Sequence, residues 1–367
     1  AKAYYTNGFN DSAAFSLGGN INRRDGYNEA VVDGLDDVNN RDRGSVQAQL
    51  LLAPSDNTSV RIIADYAKID EVCCGITNIQ NQGSAAAIMA MGGMLPDAND
   101  AFSYKSYLGY NPKNIVEDKG ISLNVDMKMG NHVLTSITAM RNNQSEIDFD
   151  ADFNTLPIIN SANDTEVDTF TQELRITSDY DGAVQWMLGG LYFSDDVTFN
   201  ESVSWEAATR NYIDALAGGP ALLATIEMAN GFAPGSFFEA GVGASEKWSL
   251  SNEAVSIYGT VDFEVNDKLT LTAGLNYTDD EKTVTGTQTY MDPYFLLDLT
   301  QAAGTDLLAN GMIAAAWDNP ADPLYQAFLA NFGAPLNQAN QMAIASGAFG
   351  AAAQAGYQQG FFAQVQG

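Results

Sequence analysis

The chain has 367 residues, 46% of them hydrophobic, which suits one large barrel or two average domains and excludes wholesale disorder. Its 17 Lys+Arg against 46 Asp+Glu give a formal charge of -29; with no basic patch to offset it, nucleic acid is excluded as a partner. No apolar run approaches the roughly 20 residues of a membrane-spanning helix, but a barrel strand needs only about 10 alternating residues, so a membrane is not excluded.

Alternation of apolar and polar residues predicts ten strands, at 2–8, 12–24, 43–53, 58–70, 118–128, 132–142, 166–178, 184–196, 249–265 and 268–283. The second is soft, carried by Ala13, Phe15, Leu17 and Ile21. In the third and fourth, Val46, Ala48, Leu50 and Leu52, then Val60, Ile62, Ala64 and Tyr66, share one face. In the fifth, Ile121, Leu123, Val125 and Met127 alternate with Ser122, Asn124, Asp126 and Lys128. In the last, Leu269, Leu271, Ala273, Leu275 and Tyr277 oppose Thr270, Thr272, Asn276 and Thr278.

Short turn signals join these strands in pairs, among them "FND" at Phe9, "PSDNT" at Pro54 and "DYDG" at Asp179. Between pairs lie long connectors: Asp25 to Asp42, Glu71 to Glu117, Asn143 to Asp164, Thr198 to Ala244, and the sequence after Val284. A soluble sandwich has no reason to make every second connector long. A transmembrane antiparallel up-and-down β-barrel does, with short periplasmic turns and long extracellular loops. Trp186, Tyr192, Tyr277 and Tyr66 lie on the apolar parity, as girdle residues do. Asp65, Asp126, Glu173, Arg175, Asp262 and Glu264 lie on the other, where a polar lumen tolerates charge better than a sandwich core. The reading is all-β: residues 1–283 form the N-terminal part of a transmembrane barrel, and 284–367 form a long extracellular loop or a truncated segment. Helix formers from Ala207 to Met228, interrupted by Gly218, Gly219 and Pro220, and the Ala- and Gln-rich tail predict some helix within the loops.

Candidate chemistry is sparse. Cys73 and Cys74 are adjacent, so a disulfide framework is excluded. In an oxidising compartment they can close a vicinal disulfide; otherwise they are small loop residues. His132 is the one histidine, too few for a Ser-His-Asp triad or a histidine zinc site. "MGGM" around Gly92 lacks the Lys-Ser/Thr of a phosphate loop. Asp148, Asp150 and Asp152 alternate with apolar residues, so an extended segment would point all three one way as hard ligands for Ca²⁺, without the Gly and distal Glu of an EF-hand loop. The competing reading is an acidic, solvated strand end, as for Asp36 and Asp37. No cofactor is expected beyond Ca²⁺ at the acidic outer loops.

Two hairpins carry a family resemblance. "TFTQELRITSDYDGAVQWMLGGLYFSDD", Thr169 to Asp196, resembles a hairpin of TonB-dependent outer-membrane receptors, and "EAVSIYGTVDFEVNDKLTLTAGLNYTDDEK", Glu253 to Lys282, resembles the hairpin that follows it. "NRRDGYNE" and "RGSVQAQLLLAPSDNTSVRIIADYAKID" are similar to the early barrel of the same family. Members carry a TonB box and a globular plug before a barrel of about 22 strands. This chain starts at "AKAYYTNG", with no initiator Met or apolar signal, and reads as a mature segment or a piece of something longer.

The resemblance implies the outer membrane of a Gram-negative bacterium and no enzymatic activity. It implies as partners the membrane lipid, an extracellular small-molecule chelate, and the TonB energy-transducing complex acting through a plug not in this sequence. The implied function is active import of a scarce nutrient, an iron-siderophore or similar metal chelate first. Alternatives are TonB-dependent import of oligosaccharides, a plugless porin-type passive channel, and a secreted structural β-protein. Aromatic-rich "FSYKSYLGYNP" from Phe102 suits flat chelates or sugar faces.

Overall fold

The computed structural model describes residues 1–77, 80–81, 83–100, 102–297, 312–345, 348 and 350–362. Its strands are β1 Lys2–Asn10, β2 Ala13–Arg24, β3 Glu29–Ala30, β4 Arg41–Ser55, β5 Thr58–Glu71, β6 Lys105–Ser106, β7 Lys113–Lys128, β8 His132–Asp150, β9 Ile159–Ser178, β10 Val184–Trp205, β11 Gly243–Asn266 and β12 Leu269–Tyr290. Ten of them form one antiparallel sheet in the order β1-β2-β4-β5-β7-β8-β9-β10-β11-β12, each pairing with its neighbour in sequence apart from the small β3 and β6. These are the ten strands the alternation predicts. β3 and β6 pair with each other in parallel, tying the loop after β2 to the loop after β5.

The strands run further than expected at the ends away from the short turns. β8 continues to Asp150 rather than 142, and β12 to Tyr290 rather than 283. Beyond the apolar band, the parity that was apolar turns polar, with Asn142, Gln144, Glu146, Asp148 and Asp150 on β8 and Thr283, Thr285, Thr287 and Thr289 on β12, so the contrast that reveals the strand is lost. Threonine and valine in the latter still favour extended backbone, and the ladder continues. One consequence is a correction: the connector expected from Asn143 to Asp164 shrinks to residues 151–158.

The pairing register fixes how the strands tilt. One line of directly opposed residues runs Tyr66, Lys119, Asn142, Asp168, Asp196, Ser251 and Thr283 from β5 to β12. The last apolar residue of that parity is Tyr66 on β5, Met140 on β8, Tyr192 on β10 and Tyr277 on β12. Tyr277 opposes Ile257, and through it the line that passes Val60 on β5. The edge of the apolar band therefore drops from position 66 to position 60 of β5 across the six strand-to-strand steps, one residue per strand. At ~3.3 Å per residue and ~4.8 Å between strands this is a tilt of about 35°, within the range of membrane barrels. The same parity is solvent-accessible on the protein, with Leu275 80% and Tyr277 67% exposed.

The chain divides into two compact units, Ala1–Leu216 with Phe238–Asp292, and Ala217–Phe237 with Pro293–Gly367. The first holds the sheet, its loops, and helices α1 Ser84–Ala90 and α2 Thr209–Leu216. The second holds α3 Ala221–Ala229, α4 Pro323–Phe332, α5 Gln338–Ala345 and α6 Ala351–Gly356. The interruption expected at Gly218, Gly219 and Pro220 separates α2 from α3, both glycines having positive φ. α4 is bounded as its residues dictate: Asp322 accepts from Leu324 N–H at 2.8 Å, Pro323 opens the first turn, and Gly333 closes it at φ 65°. Phe328, Ile344, Tyr357 and Phe361 form the core of this unit, where Trp317 donates to Gln341 at 2.7 Å and Gln341 donates to Tyr357 at 2.8 Å. No described helix is long and apolar enough to cross a membrane, which says nothing about crossing by strands.

Candidate functional site

At the long-loop end of the sheet, the loops after β2 and β5 are locked together. Asn39 N–H donates to the Val72 carbonyl at 2.8 Å, Val72 N–H to Asn40 Oδ1 at 2.8 Å, and Gly75 N–H to Asn39 Oδ1 at 3.2 Å. Between Val72 and Gly75, Cys73 and Cys74 are joined by a disulfide. Below them Arg43 makes a two-pronged bond to the buried Glu71 carboxylate at 2.6 and 2.9 Å, which holds that carboxyl below its usual range.

These loops present an aromatic platform. The Arg24 guanidinium lies 5.1 Å from the Tyr27 ring centre, and Tyr27 meets Tyr104 edge-on at 6.2 Å. Phe102 is 84% and Tyr104 60% exposed. Tyr104 holds a left-handed backbone (φ 55°) while its carbonyl accepts from Glu29 N–H at 2.8 Å. Arg24 shares its parity with Asn20 and so lies on the polar face of the sheet. Exposed rings beside a cation can take a flat, electron-rich ligand. The sequence pointed to the Phe102 segment, but not to Tyr27 and Arg24, which only the β3–β6 pairing brings beside it.

The three aspartates do not converge. β8 ends at Asp150, so Asp152 lies outside the extended segment that was expected to align all three. Asp148 accepts from Tyr110 at 3.0 Å and Asn160 at 2.6 Å. Asp150 accepts from Gly109 N–H at 2.6 Å and from the Asp152 and Phe153 amides. Asp152 accepts from Ile158 N–H at 3.0 Å, Ile159 N–H at 2.9 Å and the Asn154 side chain at 2.6 Å. Asp150 and Asp152 thus bond the amides of the 151–159 segment, while Asp148 is held by Tyr110 and Asn160. Among the described residues no three acidic, histidine or cysteine side chains are placed to hold a metal ion.

Burial, and then the Asp150 charge, push the Asp152 carboxyl up to about 7, and burial also raises Asp150. An opened loop would return Asp152 to about 4, so the closed loop binds the proton more tightly. Protonation therefore favours closure: that stabilisation is complete below pH about 4 and is lost as pH rises to about 7. Hydrogen exchange of the 154–159 amides, corrected for intrinsic rates, should show protection falling across that window. The Asp152→Asn variant should flatten the profile; an unchanged profile would remove Asp152 as its cause.

The polar face of the sheet carries two long-range clusters. Arg141 on β8 reaches over β7 to Asp65 on β5 at 2.9 Å, and it also bonds Asp118. Tyr258 on β11 reaches over β10 to Glu173 on β9 at 2.5 Å, beside Arg175. Each lies across a glycine: a Cβ at Gly120 would stand 2.7 Å from the Arg141 guanidinium, and one at Gly189 would stand 2.4 Å from the Tyr258 ring. Tyr4 lies against Gly18 and Trp248 against Gly286 in the same manner. His132 sits beside the turn before β8, its ring 5.4 Å from that of Trp186.

No protein-family model and no curated protein matches the sequence. Among solved structures, the chain is similar to the ferric yersiniabactin uptake receptor FyuA of Yersinia pestis, at 13% identity and a TM-score of 0.57, over 79% of this chain and 38% of that one. It is also similar to the ferripyoverdine receptor of the outer membrane of Pseudomonas aeruginosa, at 10% identity and a TM-score of 0.50, over 79% and 36%. The chain thus spans little more than a third of the length of either receptor. Ten consecutive antiparallel strands, long loops at one end of the sheet and a tilted apolar band give this chain the fold of a stretch of barrel wall, similar to that of these two outer-membrane receptors.

Proposed function

We propose that this chain is part of a TonB-dependent receptor that actively imports a scarce nutrient across the outer membrane, with an iron-siderophore or similar metal chelate as cargo. The single observation that carries the reading is the fold, an up-and-down antiparallel sheet similar to that of two receptors whose own ligands are ferric chelates. The Arg24–Tyr27–Tyr104 platform supports it, because a planar chelate stacks on exposed rings and an anionic one meets the guanidinium. Energy would arrive through a plug bound to the TonB complex, and the work is selective binding followed by rearrangement, with no covalent step.

The test is uptake of ⁵⁵Fe-labelled catecholate, hydroxamate and citrate complexes by cells with and without the gene. Uptake should require the gene for at least one complex and should stop when a protonophore collapses the proton-motive force. Uptake that needs the gene but survives the protonophore would mean a passive channel. The Tyr104→Ala variant should weaken capture about tenfold, the loss of roughly 1.4 kcal/mol of stacking.

A further inference from the structure

The lipid-facing side of β7 to β10 changes character abruptly where the apolar band ends. A groove of about 500 Å³ straddles that edge, within the ~300–1,000 Å³ of small-molecule sites. Its inner half is Ile121, Met140 and Phe170, directly opposed across β7, β8 and β9. Ile121 is 52% and Met140 55% exposed. Two residues further along the strands, toward the long loops, Lys119, Asn142, Asp168 and Asp196 are opposed in the same way. Arg141 passes through this stretch but turns its guanidinium to the other face, onto Asp65 and Asp118.

The outer half carries more negative charge than it neutralises. Beyond the groove, Glu117 is paired with Lys68 at 3.4 Å and Glu146 with Lys113 at 3.3 Å. Asp164, Glu166, Asp168 and Asp196 remain, all exposed and on one parity, against Lys119. Glu166 accepts from the Gln144 and Asn142 amides, and Asp168 from Asn142 at 2.8 Å, so their bonded partners are neutral. Asp168 and Asp196 stand directly opposite each other on β9 and β10, an arrangement that is destabilising for like charges. Among the described residues, the Asp196 carboxylate makes no hydrogen bond or ion pair, and Lys119 lies three strands away. A positive charge seated between the two aspartates would turn their repulsion into attraction.

Together the two halves select an amphiphile and the sign of its head. An acyl chain directed toward the bilayer centre covers Ile121, Met140 and Phe170, while its head, at the edge of the band, meets Asp168 and Asp196. The polar side chains further in are spent on one another: Thr138 donates to Gln172 at 2.6 Å and Gln172 to Ser136 at 3.1 Å. A soluble cation would leave the apolar half unused, and an anionic head would be repelled. We propose that this groove binds a membrane lipid with a positively charged amine head, its chain on Ile121, Met140 and Phe170 and its ammonium between Asp168 and Asp196. The site lies on the lipid side of the wall and does not depend on the cargo.

The test is native mass spectrometry of the full-length protein in a neutral detergent. The probes are dioleoyl lipids with ammonium, phosphocholine or phosphoglycerol heads, the last with and without Mg²⁺. The ammonium lipid should be held about fivefold more tightly than the phosphocholine lipid. Asp168→Asn combined with Asp196→Asn relieves the repulsion, so it should fold, and it should abolish that preference. Phe170→Ala should weaken retention of the ammonium lipid severalfold. Asp279→Asn combined with Glu281→Gln removes two charges from the same face of β12 and should leave the preference intact. Equal retention of every head overturns the proposal. So does a preference that survives the change at 168 and 196, or one that the β12 variant abolishes equally. Tightest retention of the phosphoglycerol lipid with Mg²⁺ also overturns it, because the carboxylates would then bridge through a divalent cation. None of these outcomes touches the iron-uptake experiment, so the two readings fail separately.

Discussion

Replacing Leu271 with Arg is expected to cost about 2–4 kcal/mol of folding stability in a bilayer, the range for a cation on the lipid face near the midplane. Leu271 is one step from Ala273, the middle residue of the apolar run Leu269 to Tyr277 on β12, and its side chain is 56% exposed. Thr272 is its neighbour in sequence but lies on the other face, where its hydroxyl donates to Asp262 at 2.6 Å. Arg at 272 can pair with Asp262 instead, so Thr272→Arg should change stability by less than about 1 kcal/mol. Urea titration of both variants in lipid vesicles measures the difference. Equal costs at 271 and 272 would mean that β12 does not separate lipid from lumen.

Gly189→Ala is expected to cost about 2–3 kcal/mol, although alanine is the smallest possible addition. The new Cβ would lie 2.4 Å from the Tyr258 ring, so that rigid side chain must swing away and give up its bond to Glu173. Overpacking typically costs 1–3 kcal/mol, and the lost charge-assisted bond adds to it, less what its partial exposure to solvent returns. On a Tyr258→Ala background the same substitution meets no ring and should be nearly neutral. A double-mutant cycle should therefore give a coupling of at least about 1 kcal/mol between the two sites. A coupling near zero would mean that the glycine is not there to seat the tyrosine.

The strands were legible wherever one face is apolar and the other polar, because a period of two is then the dominant signal along the chain. They became illegible at the outer ends: in "RNNQSEIDFD" the parity that was apolar turns to Asn142, Gln144, Glu146, Asp148 and Asp150, and β8 continues there without the apolar face that announced it. The register was legible only as parity. That Asp65, Glu173 and Arg175 share an inner face follows from alternation. That Asp65 meets Arg141, 76 residues away, depends on the alignment of three strands and on the missing side chain of Gly120. The loop platform was half legible, since a run of aromatics marks Phe102 to Tyr110 while Tyr27 joins it through a two-residue parallel pairing. The aspartates show the limit of spacing arguments, for the strand ends between Asp150 and Asp152. Backbone amides of the next loop then claim carboxylates that an extended strand would have left for a cation.

Both edge strands, β1 and β12, pair on one side only among the described residues. An open edge cannot sit in lipid, so residues 1–367 expressed alone should not give a stable monodisperse monomer in detergent.

The central claim is that one face of this sheet meets lipid and the other a polar lumen. It is tested most directly by spin labels placed singly at each position from 268 to 278 in the full-length protein reconstituted in liposomes. Relaxation by oxygen, which partitions into lipid, and by a water-soluble nickel chelate should alternate with a period of two. Oxygen should dominate at 269, 271, 273, 275 and 277, and the nickel chelate at the positions between. A profile without that alternation, or with nickel dominant at both parities, would contradict the account.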